Sequence, residues 1–263
     1  MQINRNQEIL MEMVEHYNKL KEVNAIGLGG SSNANADDKK SDYDIYVYGE
    51  SEPSVYKRRE IAEIYAVKPE IDNHYFETGD TFRLRETGKP IDIMYRTPDF
   101  IERNIKWVWE NYNASLGYTT CFVDNIKNTQ ILYDKNGWLK SVKKRVDTPY
   151  PEQLAQNIIK KNFSFLKDAM FSFYDQIVSA VERNDLVSVN HRCAAFLTSY
   201  FDIIFAKNKL LNPGEKKLVS FALKNCKILP ENFEKDVNTL AIGNVEKRVL
   251  TANRMVENLR KIL

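Results

Sequence analysis

Cysteine and histidine are scarce in this chain of 263 residues, which has three of each. The cysteines, Cys121, Cys193 and Cys226, are far apart and show no CxxC spacing, so neither a disulfide framework nor a thiolate zinc site is expected. The histidines are also widely separated, which argues against a metal site built from imidazoles. Free thiols fit a reducing compartment, and we expect a cytoplasmic protein.

Long apolar runs and an excess of one charge are missing as well. No stretch approaches the roughly 18 consecutive apolar residues that cross a membrane, and the opening residues MQINRNQEIL lack the apolar core of a signal peptide. With 38 basic and 36 acidic side chains the net charge is only +2, whereas nucleic-acid binders usually depend on a clear basic excess. We therefore expect neither a membrane nor a nucleic acid as a partner.

The sequence does contain strand patterns in its first part and helical patterns in the rest. Amphipathic helices are predicted over residues 7–20 and 54–66. Strands are predicted at VNAIGLGG, at DYDIYVY, around residues 82–85 and 91–95, and at QILYD. We predict an α+β fold in two domains: a small mixed sheet with helices over residues 1–147, followed by an all-helical domain over residues 148–263.

The second part divides into several predicted helices. One apolar stripe runs through Ile158, Phe165, Ala169, Phe173, Ile177 and Ala180. A long helix is predicted over residues 185–207. The next one is predicted to begin at Asn212, which can cap a helix that has Pro213 in its first turn. Two more helices are predicted, one after Pro230 and one from Val245 to the end.

Two aspartates stand two positions apart in the apolar strand DYDIYVY. Because side chains alternate along a strand, Asp42 and Asp44 present their carboxylates on one face. Two such groups repel each other, and burying them without a partner costs free energy. A divalent cation removes that cost, and Mg²⁺ prefers oxygen ligands, commonly carboxylates together with substrate phosphates. The alternative is a solvated strand end in which one aspartate caps the loop.

Two further features accompany this pair. Asp92 lies in the apolar segment IDIMY and needs a partner there, so metal ligation competes with a salt bridge to Arg96 on the same face. Gly29 and Gly30 end a predicted strand and let the backbone approach a ligand closely, and Ser31 can donate to a phosphate oxygen. A Gly-Gly-Ser alone is most often a turn. The combination indicates a site for a metal and a phosphorylated ligand.

Gly30-Ser31, the segment Ser41–Ile45 with its two aspartates, and the later strand around Asp92 together resemble the nucleotidyltransferase superfamily, which includes kanamycin nucleotidyltransferases and DNA polymerase beta. The signature of that superfamily is Gly-Ser, a loop, Asp-x-Asp and a third acidic residue on a neighbouring strand. The motifs cover about residues 23–96, and the whole chain is similar to two-domain bacterial members. The resemblance implies a catalytic domain over residues 1–147 and a helical bundle that binds the acceptor or another partner.

The resemblance also implies a role for each of these residues. Asp42, Asp44 and Asp92 would be the catalytic carboxylates that hold two Mg²⁺ ions, and Gly30 and Ser31 would hold the β,γ-phosphates of ATP or another nucleoside triphosphate. The enzyme would transfer a nucleoside monophosphate, most simply AMP from ATP, to a hydroxyl of a small molecule and release pyrophosphate. An aminoglycoside- or lincosamide-like antibiotic is one such acceptor.

The loop after Gly30-Ser31 departs from the family pattern. Many members have a basic residue and a glycine a few positions further on, whereas this chain continues with SNANADDKK. Lys40, at the end of the loop, can supply the positive charge. Ser32 and Arg96 are the other residues predicted to contact the triphosphate.

Three residues are candidates for the acceptor side of the site. Glu77 precedes a predicted strand and lies either in an acceptor-binding loop or in a plain surface connection. His191 and Asp202 fall close to one face of the long helix. Because the residues around Asp202 are strongly apolar, it has either a structural ion pair, for example with Arg192, or a part in orienting or deprotonating the acceptor hydroxyl.

Other functions can use the same residues. A toxin–antitoxin or regulatory enzyme would place the nucleotide on a protein or an RNA, while a tRNA-directed transferase is disfavoured because no basic tail is present. A non-catalytic nucleotide-binding module belongs to a different class, and the complete set of three carboxylates argues against it. Val249, Met255 and Leu259 recur along the last helix and form either core or the contact of a homodimer.

Overall fold

The computed structural model describes residues 5–29 and 42–263. The chain divides into two compact units: the first contains Met1–Ile105 and Asn125–Thr148, and the second contains Lys106–Asp124 and Pro149–Leu263. The first unit is a mixed sheet with helices and the second is helical, so the predicted α+β fold class is confirmed. No helix in the described ranges is both long enough and apolar enough to cross a membrane.

Strands of the described residues form one mixed sheet in the first unit. These strands are β1 (Ala25–Gly29), β2 (Tyr43–Tyr48), β3 (Glu70–Asn73), β4 (Gly79–Arg83), β5 (Pro90–Arg96) and β6 (Gln130–Asp134). Their order is β3-β4-β5-β2-β1-β6, in which β2 and β5 are parallel and the other neighbours are antiparallel. β3 was not predicted, because three of its four residues are Glu, Asp and Asn, which are rare in strands.

Helices flank this sheet. They are α1 (Arg5–Tyr17), α2 (Val55–Tyr65), α3 (Pro98–Ile105), α4 (Cys121–Asn128), which ends in the first unit, and α5 (Trp138–Val146). α1 and α2 bury their apolar faces against one face of the sheet, and together they form the core of the unit. The helices predicted over 7–20 and 54–66 thus exist: α1 begins and ends earlier than predicted, and α2 is one residue shorter at each end.

β5 shows how the two faces of the sheet differ. Ile91, Ile93 and Tyr95 are buried in the core, whereas Asp92 and Arg96, at alternate positions, are half-buried on the opposite face. We call this opposite face the site face, because it carries the carboxylates described below. Part of it is covered by α5.

The regular elements of the second unit are helices. It contains α6 (Glu152–Phe163), α7 (Phe173–Glu182), α8 (Leu186–Lys207), α9 (Leu218–Asn225), α10 (Phe233–Ile242) and α11 (Val245–Arg260), with π-helical turns at Lys106–Glu110 and Ser164–Asp168. α6 and α7 pack along α8, whose Phe196, Tyr200 and Ile204 are almost completely buried. Asp185 caps α8 by accepting a hydrogen bond from the amide of Ser188, so this helix starts where the sequence predicted.

Two predictions for the second unit need correction, and for α11 the structure agrees with one of the two alternatives that the sequence left open. The apolar stripe from Ile158 to Ala180 belongs to two helices, because the chain leaves α6 through a π-helical turn and starts α7 at a new cap, Ser172. The helix expected at Asn212 begins only at Leu218, since Asn212 is buried and its side chain binds other groups. The recurring residues of α11 are core residues of this unit: Met255 and Leu259 are buried and Val249 packs against them.

Residues 106–124 lie in the second unit, although the sequence prediction placed them in the first domain. The reason is a set of hydrogen bonds from α6. Lys161 Nζ donates to Ala114 O at 2.7 Å, and Asn162 Nδ2 donates to Ser115 O at 2.9 Å. Asn162 Oδ1 accepts from the amide of Gly117 at 2.9 Å. The separate roles assigned to residues 1–147 and 148–263 stay predictions.

Candidate functional site

Three carboxylates come together at one place on the site face. Asp42, Asp44 and Asp92 are all half-buried, and each offers one oxygen such that these oxygens lie within 4.8 Å of one another. Like charges this close repel one another, and partial burial strengthens the repulsion. The donor set consists of oxygen atoms only, which suits Mg²⁺ or Mn²⁺ and does not suit a soft metal. These residues therefore fit a divalent metal centre.

The strand register explains why residues so far apart in sequence meet. β2 and β5 are parallel neighbours, and Asp44 pairs directly with Asp92. On the other side of β2, Asp44 pairs with Gly29, the last residue of β1. Paired residues project to the same face of a sheet, so the two carboxylates stand side by side, and Asp42 precedes the strand. The sequence predicted this grouping, and the geometry agrees with it.

Asp92 has a neighbour that the sequence did not point to. Thr81, which pairs with Asp92 across β4 and β5, donates its hydroxyl proton to Asp92 Oδ1 at 2.8 Å. The predicted alternative, a salt bridge from Arg96 to Asp92, is not formed. A strand threonine carries no signal of its own in the sequence, because its role depends on the register between two strands.

Arg96 instead pairs with Glu77. Its Nε and Nη2 atoms donate to the two carboxylate oxygens of Glu77 at 2.8 and 2.7 Å, and only 11% of its side chain is exposed. The guanidinium also lies over the ring of Tyr46, 4.3 Å from the ring centre. Arg96 and Glu77 are thus brought together, which was not predicted. Their predicted contacts, with the triphosphate and the acceptor, stay predictions.

Tyr46 lies on the site face beside the carboxylates, two positions after Asp44 in β2. Its hydroxyl accepts a hydrogen bond from Asn125 Nδ2 at 2.9 Å, and burial raises the pKa of the phenol, so it is protonated at neutral pH. Gly29 has to be glycine here because an added Cβ would lie 2.3 Å from Tyr46 Cε2. The glycine predicted to permit a ligand to approach therefore also permits an aromatic ring to approach.

Asp202 and His191 lie on α8 in the second unit. Asp202 is buried and accepts hydrogen bonds from the amide of Thr119 at 3.1 and 3.2 Å and from Asn212 Nδ2 at 3.1 Å, so the proposed ion pair with Arg192 is replaced by neutral donors. Burial raises the pKa of this carboxyl group. His191 is exposed and lies roughly 16 Å along the helix axis from Asp202, at about 1.5 Å per residue. The two do not form one group.

Four predicted contacts fall on residues that the structure does not describe. They are Gly30, Ser31, Ser32 and Lys40. Their assignment to the triphosphate stays a prediction that depends on the sequence motif.

A family model described as "Domain of unknown function (DUF4037)" matches residues 120–217 of the chain. The match covers less than half of the chain and leaves out all three carboxylates. No curated protein matches the sequence.

Among the solved structures that the chain is similar to are the following two. One is a nucleotidyltransferase-like protein from Exiguobacterium sibiricum 255-15, with 12% sequence identity and a TM-score of 0.48, covering 98% of this chain and 75% of that one. The other is the STING-associated CdnE c-di-GMP synthase from Capnocytophaga granulosa, with 15% identity and a TM-score of 0.28, covering 97% of this chain and 78% of that one. Both likenesses are distant, so the function proposed below depends on the carboxylates of this chain.

Proposed function

We propose that this protein is a metal-dependent nucleotidyltransferase that moves a nucleoside monophosphate from a nucleoside triphosphate to a hydroxyl group. The observation that carries the proposal is the cluster of Asp42, Asp44 and Asp92, whose oxygens lie within 4.8 Å of one another on one face of the sheet. Two-metal phosphoryl-transfer sites place their ions about 3.5–4 Å apart, a spacing that three carboxylates at this distance can hold. The Gly-Ser and Asp-x-Asp motifs support the same assignment.

Each carboxylate of this unit would have its own role in the reaction. Asp42 and Asp44 would hold both metal ions, and Asp92 would hold the ion nearer the acceptor. When bound, such ions lower the pKa of the acceptor hydroxyl and neutralise charge on the leaving pyrophosphate. The acceptor hydroxyl would lose its proton to water, its oxygen would form a bond to the α-phosphorus, the bond between the α-phosphorus and the bridging oxygen would break, and pyrophosphate would leave with that oxygen.

A small-molecule acceptor agrees best with the charge of the chain. A net charge of +2 gives no general attraction for the phosphates of a nucleic acid. ATP as the donor, with AMP as the transferred group, is the simplest form of the proposal. An antibiotic of the aminoglycoside or lincosamide type is one acceptor class to test, beside protein and RNA.

A screen for pyrophosphate release tests the proposal. The purified protein is incubated with Mg²⁺, each of the four common ribonucleoside triphosphates and a panel of hydroxyl-bearing acceptors, and EDTA serves as the blank. We expect release that requires metal and that falls at least about 100-fold in Asp44→Asn and Asp92→Asn, because even indirect changes around a metal commonly cost 10–100-fold. Asp99→Asn is the matched control, since Asp99 is exposed on α3 and pairs with Arg103.

The outcomes separate the competing functions. Label from ATP that appears on the protein itself or on added RNA would support the regulatory class. Tight binding of the triphosphate without any pyrophosphate release would indicate a binding module. Release that survives both aspartate substitutions would show that these carboxylates do not hold the metal.

A further inference from the structure

A β-bulge interrupts the pairing of β3 with β4. Ile71 pairs with Asp80, yet Asn73 pairs with Gly79, so Asp72 is an extra residue. Its φ of 66° lies in the left-handed region, which is uncommon for a residue other than glycine. Because paired residues project to the same face, the bulge places the side chain of Asn73 on the site face. Without the extra residue, Asn73 would project to the core face.

Buried groups on the core face hold this bulge in place. The amide of Asp72 donates to Asp80 Oδ1 at 2.9 Å, and Arg58 Nη2 donates to Asp72 Oδ1 at 2.5 Å. Tyr95 donates its hydroxyl proton to the other oxygen of Asp80 at 2.5 Å. Asp80 and Arg58 are each only 1% exposed. A strained residue held by such a network is fixed by its surroundings, which is the usual condition for strain to persist at a functional position.

On the site face, the bulge starts a chain of two hydrogen bonds that ends at the metal centre. Asn73 Nδ2 donates to Thr81 Oγ1 at 3.3 Å, and Thr81 Oγ1 donates to Asp92 Oδ1 at 2.8 Å. The direction is fixed at both ends, since a carboxylate can only accept and the amide nitrogen can only donate. Thr81 therefore has its single proton committed to Asp92.

We infer that Asn73 and Thr81 are positioning residues that orient Asp92 for metal binding, an inference that rests on the proposed function. The threonine proton occupies one lone pair of Oδ1 and fixes the rotation of the carboxylate plane. One oxygen of the carboxylate so oriented lies within 4.8 Å of an oxygen of Asp42 and of Asp44. Groups that hydrogen-bond to metal ligands in this way typically change metal affinity or activity by 10–100-fold when removed.

Direct binding of Mn²⁺ tests this role without depending on turnover. Free Mn²⁺ is followed by electron paramagnetic resonance during titration of the full chain. Thr81→Val keeps the shape and removes the hydroxyl, and we expect its Mn²⁺ affinity to fall roughly 10-fold. Thr81→Ser restores the hydroxyl and should restore the affinity. The control is Thr87→Val, in the turn beyond the end of β4, where the hydroxyl accepts only a long 3.4 Å bond from the amide of Lys89.

Asn73 supplies a second, independent check. Asn73→Ala removes the donor to Thr81 and should weaken Mn²⁺ binding less than Thr81→Val does. The double variant should bind Mn²⁺ no more weakly than Thr81→Val alone, because Asn73 acts only through Thr81. Thermal unfolding of every variant in EDTA shows whether the fold is intact. If Thr81 had a purely structural role, Thr81→Val would lower the melting temperature. Thr81→Ser would then not restore the Mn²⁺ affinity selectively.

The inference is overturned if folded Thr81→Val binds Mn²⁺ as tightly as the unchanged protein, or if Thr81→Ser does not recover the affinity. Pyrophosphate release by the unchanged protein, measured in parallel, separates this failure from failure of the proposed function. If the unchanged protein binds Mn²⁺ without any turnover, and Asp92→Ala loses that binding, the enzyme assignment is wrong but the positioning role is supported. Absence of Mn²⁺ binding by the unchanged protein would overturn both.

Discussion

At the scale of single residues, Asp202 is the clearest case of a buried charge-bearing group outside the carboxylate cluster. It lies in the C-terminal part of α8, where apolar neighbours exclude water, and it accepts hydrogen bonds from Thr119 and Asn212. Burial penalises the charged form more than these two donors favour it, so the pKa is raised. The carboxylate holds residues 106–124 on the second unit, which is a structural task.

The raised pKa of Asp202 should be visible in the pH dependence of stability. Between the unfolded pKa of Asp202, near 3.8, and its higher folded pKa, the folded state binds more protons than the unfolded state, so stability falls as the pH rises through this window. Asp202→Asn cannot titrate. We expect the difference in free energy of unfolding, unchanged protein minus Asp202→Asn, to increase as the pH is lowered from 7 towards 4, measured by urea denaturation. A difference independent of pH, or one equal to that of the exposed control Asp99→Asn, would contradict this.

At the scale of elements, Arg58 connects α2 to the β3–β4 pair. Its guanidinium donates to Asp72, lies 3.5 Å from Asp80 and stacks 4.6 Å from the ring centre of Tyr95. The hydrogen bond from Arg58 lowers the pKa of Asp72, while burial raises that of Asp80. An arginine that is 1% exposed is thus the common partner of two acidic groups, and the bulge depends on all three.

Replacing Arg58 by methionine should destabilise the first unit strongly at neutral pH. Removal of one partner from a buried ion pair commonly costs about 3–5 kcal/mol, because the remaining charge stays buried without compensation. The loss should shrink as the pH falls towards 4.5, because Asp80, whose pKa burial raises, lacks the attraction of Arg58 in the variant and is therefore protonated at a higher pH.

Chemical denaturation at pH 7 and at pH 4.5 measures this loss. Arg59→Met is the matched control, since Arg59 is the next residue of α2 and is exposed. Equal stability of the two variants at pH 7 would show that the buried guanidinium does not hold the bulge.

Sequence patterns predicted most elements because their signals are local. β6 was predicted over the same residues that form it, QILYD, and α8 from its cap to Lys207, since both depend on apolar period and a capping residue. Spacing puts Asp42 and Asp44 on one face, and Asp92 joined them in the prediction through the combination of motifs that resembles the nucleotidyltransferase superfamily. Thr81 and Asn73 were missed because their contacts depend on the register between strands, which periodicity does not contain. The Arg96–Glu77 pair was missed because Glu77 lies in the connection between β3 and β4, whose path the sequence pattern does not give.

At the scale of the whole molecule, the three like charges of Asp42, Asp44 and Asp92 on one face lower the stability of the metal-free protein and provide its affinity for a metal. In the absence of metal, their mutual repulsion opposes folding, and a bound ion reverses the sign of that contribution. A ligand that binds only the folded state stabilises it by about 2.7 kcal/mol when its concentration is 100 times its dissociation constant. The stability of the protein should therefore depend on the metal in the buffer.

Asp92→Asn should make this dependence visible. The introduced amide oxygen can still accept the proton of Thr81, and the amide has no charge, so in EDTA we expect the variant to be at least as stable as the unchanged protein. In saturating Mg²⁺ the order should reverse, because only the unchanged protein gains from binding. Melting temperatures in the two buffers check the reversal, and a variant that is less stable by the same margin in both would exclude a metal-relieved repulsion.

The division of the chain into units has a consequence for its synthesis. In the first unit, β6 and α5 are formed by residues that follow Lys106–Asp124 in the sequence. The segment Lys106–Asp124 is itself held by hydrogen bonds to α6 and α8, which come later in the chain. A growing chain therefore releases β1 from the ribosome long before β6 is available to pair with it. Until then the nascent sheet has an open edge at β1, a position at which chaperones or other unfinished chains can attach. The strands that position the three carboxylates can therefore pair on the ribosome before β6 completes the sheet.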